Sequence, residues 1–154
     1  MLNLPKLIPI SDSNLQKKTI LLLSDDIMAP SGIGTMSKEI VYKTVDKFNW
    51  IQIAAAINHP EAGKVFDLSQ QIKEKTGVDD CSVLLYPYSG YGDSKIVNYI
   101  LDNHKVDAIL HFTDPRYWQW LYAMEYDIRS VRKIPLMYYS IWDDLPYPHW
   151  NFSA

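Results

Sequence analysis

The chain has 154 residues, which suffices for one domain and is short for two. Apolar residues make up 47% and charged residues 21%, the balance of a globular chain and not of a disordered one. A net charge of −3 without any dense Lys/Arg run excludes a nucleic-acid surface built on charge, and the single Cys81 excludes an internal disulfide or a cysteine zinc cluster.

Aromatic residues reach 13%, and they crowd the stretch between Tyr117 and Phe152. Residues 1–18 mix apolar side chains with Pro5, Lys6 and Pro9, which predicts a short arm lying over the surface. No run approaches the ~18 apolar residues that cross a bilayer. With one cysteine, this predicts a reducing, cytoplasmic setting, with membrane contact peripheral at most.

From residue 19 onward apolar runs alternate with amphipathic stretches. Residues 19–24 read as a strand buried on both faces. Met36, Ile40, Val41, Thr44, Val45 and Phe48 then recur at helical spacing. Residues 50–55 are the second strand, and residues 56–67 read as irregular. A short helix over 68–75 is stopped by Gly77. Residues 82–86 are the third strand, ended by Pro87. Asp93 or Ser94 caps the next helix, whose buried stripe is Ile96, Val97, Ile100 and Leu101. Residues 106–112 are the fourth strand. Pro115 opens a helix with the stripe Tyr117, Leu121, Met124 and Ile128. Residues 134–141 are the fifth strand, followed by an aromatic, proline-rich tail. The alternation predicts an α/β fold: a Rossmann-like, doubly wound parallel sheet of about five strands, in the order 3-2-1-4-5, over residues 19–154.

In such sheets ligands bind beyond the carboxyl ends of the strands. The loop after the first strand, Pro30-Ser-Gly-Ile-Gly-Thr35, leads straight into a helix. Gly32, Ile33, Gly34 and Thr35 either bring free N–H groups to a phosphate or sugar, or form a turn with Ser31 or Thr35 as its cap. On the first alternative, Gly34→Val blocks the ligand and leaves the melting temperature unchanged. Gly-Lys-Ser/Thr is absent, which excludes a Walker loop, and the acid that ends the second strand of a dinucleotide fold is replaced by Asn58. Asp25-Asp26 resembles a phospho-acceptor pair, but Tyr86-Pro87 and Trp142 stand where its Asp and Lys partners belong.

Tyr88, Ser89 and Tyr91, in the loop after the third strand, either stack on and hydrogen-bond to sugar rings or belong to a turn at Gly90 and Gly92. At the fourth strand end, His111, Thr113, Asp114 and Arg116 fall on the same rim. His111 is either an acid–base or ligand contact near neutrality or a satisfied strand-end histidine, and Asp114 caps the helix in both cases. The four histidines have no metal spacing, and the adjacent Asp143 and Asp144 lack a third ligand.

The run Ile20-Leu-Leu-Leu-Ser-Asp-Asp, then Ala-Pro-Ser-Gly-Ile-Gly-Thr35, then Glu39-Ile resembles the start of a retaining, nucleotide-sugar-dependent glycosyltransferase of the GT-B fold. Asp107-Ala-Ile-Leu-His-Phe-Thr-Asp-Pro115 is similar to that family's fourth strand, and Ile134-Pro-Leu-Met-Tyr-Tyr-Ser-Ile-Trp-Asp143 to its fifth. Thr113 and Trp142 replace histidines usual there. The resemblance implies the N-terminal, acceptor-side half of a hexosyltransferase, inactive alone, whose donor-binding C-terminal domain with its Glu-x7-Glu motif is missing. Gly32, Ile33, Gly34 and Thr35 would meet the donor diphosphate. Tyr88, Ser89, Tyr91, His111, Thr113, Asp114, Arg116, Trp142 and Asp143 would face the acceptor or sugar. The implied partners are a nucleotide-sugar donor, as co-substrate, and a sugar or glycoconjugate acceptor, with no other cofactor, no obligatory metal and no nucleic acid. The alternatives are a non-catalytic nucleotide- or sugar-binding domain of this fold and a fragment of an NAD(P)-dependent oxidoreductase.

Overall fold

A computed structural model describes residues 4–10, 16–56 and 59–141. The central sheet holds β1 (Lys18–Asp25), β2 (Phe48–Ala56), β3 (Phe66–Asp67), β4 (Val83–Ser89), β5 (Ala108–Phe112) and β6 (Leu136–Tyr138). Their spatial order is β3-β4-β2-β1-β5-β6, and every pair is parallel except the two-residue β3 against β4. The five expected strands thus lie in the expected order. The sixth, β3, corrects the reading of residues 56–67 as wholly irregular, for Phe66 and Asp67 pair with Leu85 and Leu84.

Strand alternation splits the core into two layers. Leu21, Leu23, Ile51, Ile53, Leu84 and Tyr86 face α3 (Ser94–Asn103) and α4 (Gln119–Ala123). Ile20, Leu22, Trp50, Val83 and Leu85 face α1 (Gly32–Tyr42) and α2 (Ser69–Thr76). The stripe of α3 is buried throughout, at Ile96, Val97, Ile100 and Leu101. Asp93 caps that helix by accepting the N–H groups of Lys95 and Ile96, and Gly77 ends α2 in the left-handed region at φ 73°. Asp93→Ala is expected to cost about 1–2 kcal/mol in urea unfolding, since both N–H groups lose their acceptor.

Two helical expectations change. Val41 and Val45 are buried behind α1, whereas Met36 is exposed and Phe48 already belongs to β2. The single helix expected after Pro115 is divided into a 3-10 turn (Pro115–Tyr117), α4 and a π-helical turn (Tyr126–Val131). The tight 3-10 turn rotates the chain so that Trp118, fully buried, takes the core position expected of Tyr117, which is left exposed. Leu121 and Ile128 remain buried as expected, and Met124 packs at the edge of the same cluster.

The described part of the arm runs along the α3 face. Ile8 and Ile10 pack on the core, and the Tyr99 hydroxyl donates to the Pro5 carbonyl at 2.7 Å.

Candidate functional site

The sheet order reverses between β1 and β5, and the loops beyond these two strands meet there. Asp25 ends β1. One carboxylate oxygen accepts the Ser31 hydroxyl at 3.0 Å, and the other accepts the Thr113 hydroxyl, from the end of β5, at 3.4 Å. Gln52, buried in β2, fixes this corner: its amide donates to Ser24 Oγ and to the Asp25 carbonyl, both at 2.7 Å, and its oxygen accepts the Ile27 N–H. The neighbouring Asp26 turns the other way. It accepts the Met28 N–H at 2.7 Å and meets His59 Nε2 at 2.8 Å. His59 Nδ1 accepts the Glu61 N–H, so Nε2 carries the ring proton and donates it to Asp26.

The β4–α3 loop reaches across to the β5–α4 connection. The rings of Tyr91 and Tyr117 stack with centroids 4.5 Å apart and 12° between planes, and Tyr91 also meets Trp118 edge-on. Gly92 adopts φ 76°, and a Cβ there would lie 3.2 Å from the Trp120 ring, so the loop backbone rests on the indole. Partial burial, with the charge of Asp25 next in weight, raises the Tyr91 hydroxyl above its usual range. The crevice therefore pairs a carboxylate flanked by two hydroxyls with a stacked aromatic wall.

The sequence-derived residues divide among several places. At the α1 start the cap is Ser31, whose Oγ accepts the Gly34 N–H at 2.9 Å; Thr35 is the first residue whose N–H joins the helical ladder, to Ser31 O. This corrects two expectations. Thr35 does not cap, and the Gly34 N–H is occupied by the capping hydroxyl. A Cβ on Gly34 would lie 2.5 Å from the Asp26 carbonyl oxygen and 2.9 Å from that of Ala29. The glycine lets its own loop close over the helix, so Gly34→Val cannot leave stability untouched. Gly32 is exposed with open space around it, while the Ile33 side chain turns into the core.

Thr113, Tyr91 and Asp114 lie at the crevice. Asp114 caps the 3-10 turn through the Arg116 N–H, as expected, and also pairs with the Arg116 guanidinium, which holds its carboxyl below the usual range. Tyr88 and Ser89 lie elsewhere, in a groove against the N-terminal arm. The Tyr88 hydroxyl donates to Asp93 at 2.9 Å, and burial, with Asp93 adding to it, pushes it up to about 12.

His111 is corrected most strongly. It is fully buried beneath the rim, its Nδ1 against the Tyr122 hydroxyl and its ring stacked on Tyr138 at 5.1 Å. Burial pushes its pKa down to about 3, so it is neutral near pH 7 and takes no proton there, against the acid–base role considered for it. Trp142 and Asp143 lie outside the described residues.

Sequence reasoning passed over Asp25, Asp26 and His59 as site residues. Part of the signal was present, since Asp26 follows β1, His59 follows β2, and parallel pairing brings the ends of the two strands to the same edge of the sheet. Among the described residues no group of three His, Cys, Asp or Glu is placed to hold a metal, and no helix is long and apolar enough to cross a membrane. No family model, curated protein or solved structure matches the chain.

Proposed function

We propose that the chain is the acceptor-side, N-terminal domain of a retaining glycosyltransferase that draws on a nucleotide-diphosphate sugar. The observation that carries this reading is the crevice between β1 and β5, where the Asp25 carboxylate, shared by the Ser31 and Thr113 hydroxyls, lies close enough to the stacked Tyr91 to act on its hydroxyl. A carboxylate between hydroxyls suits the dense hydroxyls of a sugar, and an aromatic face suits its C–H face. At the α1 start the N–H groups of Gly32 and Ile33 are those that the Ser31 cap does not take up. Asp25 stands beside them with its negative charge, so the crevice fits a neutral, hydroxyl-rich ring better than a diphosphate. The donor diphosphate then belongs mainly to a second domain bearing a Glu-x7-Glu motif. In this division of labour the described residues position the acceptor, and positioning together with stabilisation of the leaving diphosphate supplies the rate. The burial of His111, which takes a histidine out of the rim, favours as second reading a sugar-binding domain without catalysis.

Titration of the 154-residue protein with a panel of methyl hexosides, followed by amide NMR, tests this. Saturable shifts at Tyr91, Tyr117 and Thr113 are expected, weakened at least tenfold by Asp25→Ala, with no sugar transfer from UDP-glucose by the chain alone. Absence of any hexoside shift at the crevice, or efficient transfer by the chain alone, overturns the reading.

A further inference from the structure

A second cavity lies away from this crevice, at the carboxyl end of β4. It is a groove of about 280 Å³, walled by Leu4 and Pro5 of the arm, Ala62 and Gly63 of the β2–β3 loop, Pro87 of β4 and Ile96 of α3. We propose that this groove binds an uncharged, mainly apolar small molecule of about one ring, such as an aryl group, with a hydroxyl at one end.

Four observations support it. The volume lies near the lower end of the ~300–1,000 Å³ typical of ligand sites, which sets the size of the guest. None of the lining residues is Asp, Glu, Lys, Arg or His, so a charged guest would lose its hydration without gaining a partner. The two polar residues of the lining, Ser89 and Tyr88, retain matching capacity. Ser89 Oγ already accepts the His59 N–H at 3.2 Å and keeps its own hydrogen to donate, while the Tyr88 hydroxyl spends its hydrogen on Asp93 and keeps an acceptor lone pair. A guest hydroxyl can accept from the first and donate to the second. Finally, the arm wall is anchored beside the groove by the Tyr99 Oη–H bond to the Pro5 carbonyl, with Ile8 and Ile10 packed on the core further along, and it leaves Leu4, 42% exposed, at the mouth. The proposal is independent of the glycosyltransferase reading, because it involves neither Asp25 nor the tyrosine stack.

The probes are 4-methylphenol, its charged counterpart 4-methylbenzoate, and methyl hexosides, each titrated into the 154-residue protein and followed by amide NMR. With 4-methylphenol, saturable shifts are expected at Leu4, Gly63 and Ser89, and 4-methylbenzoate is expected to bind at least tenfold more weakly. Ala62→Trp, at an exposed loop position, fills the mouth and is expected to abolish saturation with the urea midpoint unchanged. Should that variant fail to fold, Leu4→Asp places a charge at the mouth and is expected to weaken binding at least tenfold. Tyr99→Phe removes the tie at Pro5, loosens that end of the arm and is expected to lower affinity severalfold. No saturable shift in the wild-type protein, equal binding of the charged probe, or undiminished binding in a folded mouth variant overturns the proposal. Hexoside shifts at the crevice with no phenol shifts at the groove sink this inference alone, and the reverse pattern sinks only the sugar reading.

Discussion

Gly34→Ala is expected to destabilise the protein by about 3 kcal/mol or more, at the upper end of overpacking costs. Elsewhere in a helix the same change stabilises, because alanine restricts the unfolded chain and has the higher helix propensity. Here the added methyl would enter the space between two backbone carbonyls, 2.5 Å from that of Asp26 and 2.9 Å from that of Ala29. Neither carbonyl can rotate away like the end of a side chain, since the Ala29 N–H bonds to the Asp26 oxygen at 2.9 Å and the turn is tight. The displaced loop also carries Ser31, whose hydroxyl donates to Asp25 at the end of β1, so the crevice would loosen with it. Gly32→Ala is the control. Nothing lies within 4 Å of its would-be Cβ, and it opens the same helix, so a change between zero and about 1 kcal/mol in the stabilising direction is expected. Urea unfolding of the two variants decides the matter: equal midpoints would show that the loop relaxes freely around position 34.

Acid is expected to weaken the fold well before the carboxylates titrate, and His111 is the main reason. In the native state burial pushes its pKa down from 6.5 to about 3, while the unfolded chain titrates near the ordinary value. Below pH 6.5 the unfolded state therefore binds a proton that the folded state refuses. Stability falls as pH drops through this window, and the loss from this group is complete near pH 3. A shift of this size corresponds to roughly 4–5 kcal/mol at about 1.4 kcal/mol per pKa unit. His104, also lowered by burial, acts in the same direction. Asp107 and Asp114, held below the ordinary value of 3.8, lose their contributions only at lower pH. The segment from pH 6.5 to 4.5 thus reads the histidines. His111→Phe is expected to remove up to about 1.4 kcal/mol per pH unit from its slope, and the His111 ring resonances are expected not to move between pH 5 and 8. A His111 resonance titrating near 6.5, or an unchanged slope in the variant, contradicts this account.

The strand order was legible because strands buried on both faces leave continuous apolar runs, as in Thr19 to Leu23, and because Gly77, Asp93 and Pro115 mark helix boundaries through chemistry confined to their own turn. The two-residue β3 left no period to detect: Phe66 and Asp67 pair only because β4 presents Leu84 and Leu85 to them. The division of the helix after Pro115 was hidden for a related reason. Tyr117 and Trp118 are both large aromatics, and which one enters the core depends on the tightness of a single 3-10 turn. At the site, the rim position of Thr113 and Asp114 followed from strand direction. The role of Gly34 did not, because a glycine that admits a ligand and one that admits its own backbone read alike in sequence. His111 was ambiguous in the same way: a strand-end histidine faces rim or core according to where the following aromatic turn folds back.

Pro87 limits what the sheet can recruit. Its carbonyl points away from β2 and accepts the Gly63 N–H at 3.3 Å, and the nitrogen of the same residue, which bears no hydrogen, faces that outer side too. A strand arriving from another molecule would find an acceptor already engaged and no donor beside it, just beyond the point where β3 stops. The outer margin of β4 therefore resists templated intermolecular growth: β3 and the residues after it cover the apolar, uncharged run Val83-Leu-Leu-Tyr86, and Pro87 closes the stretch beyond.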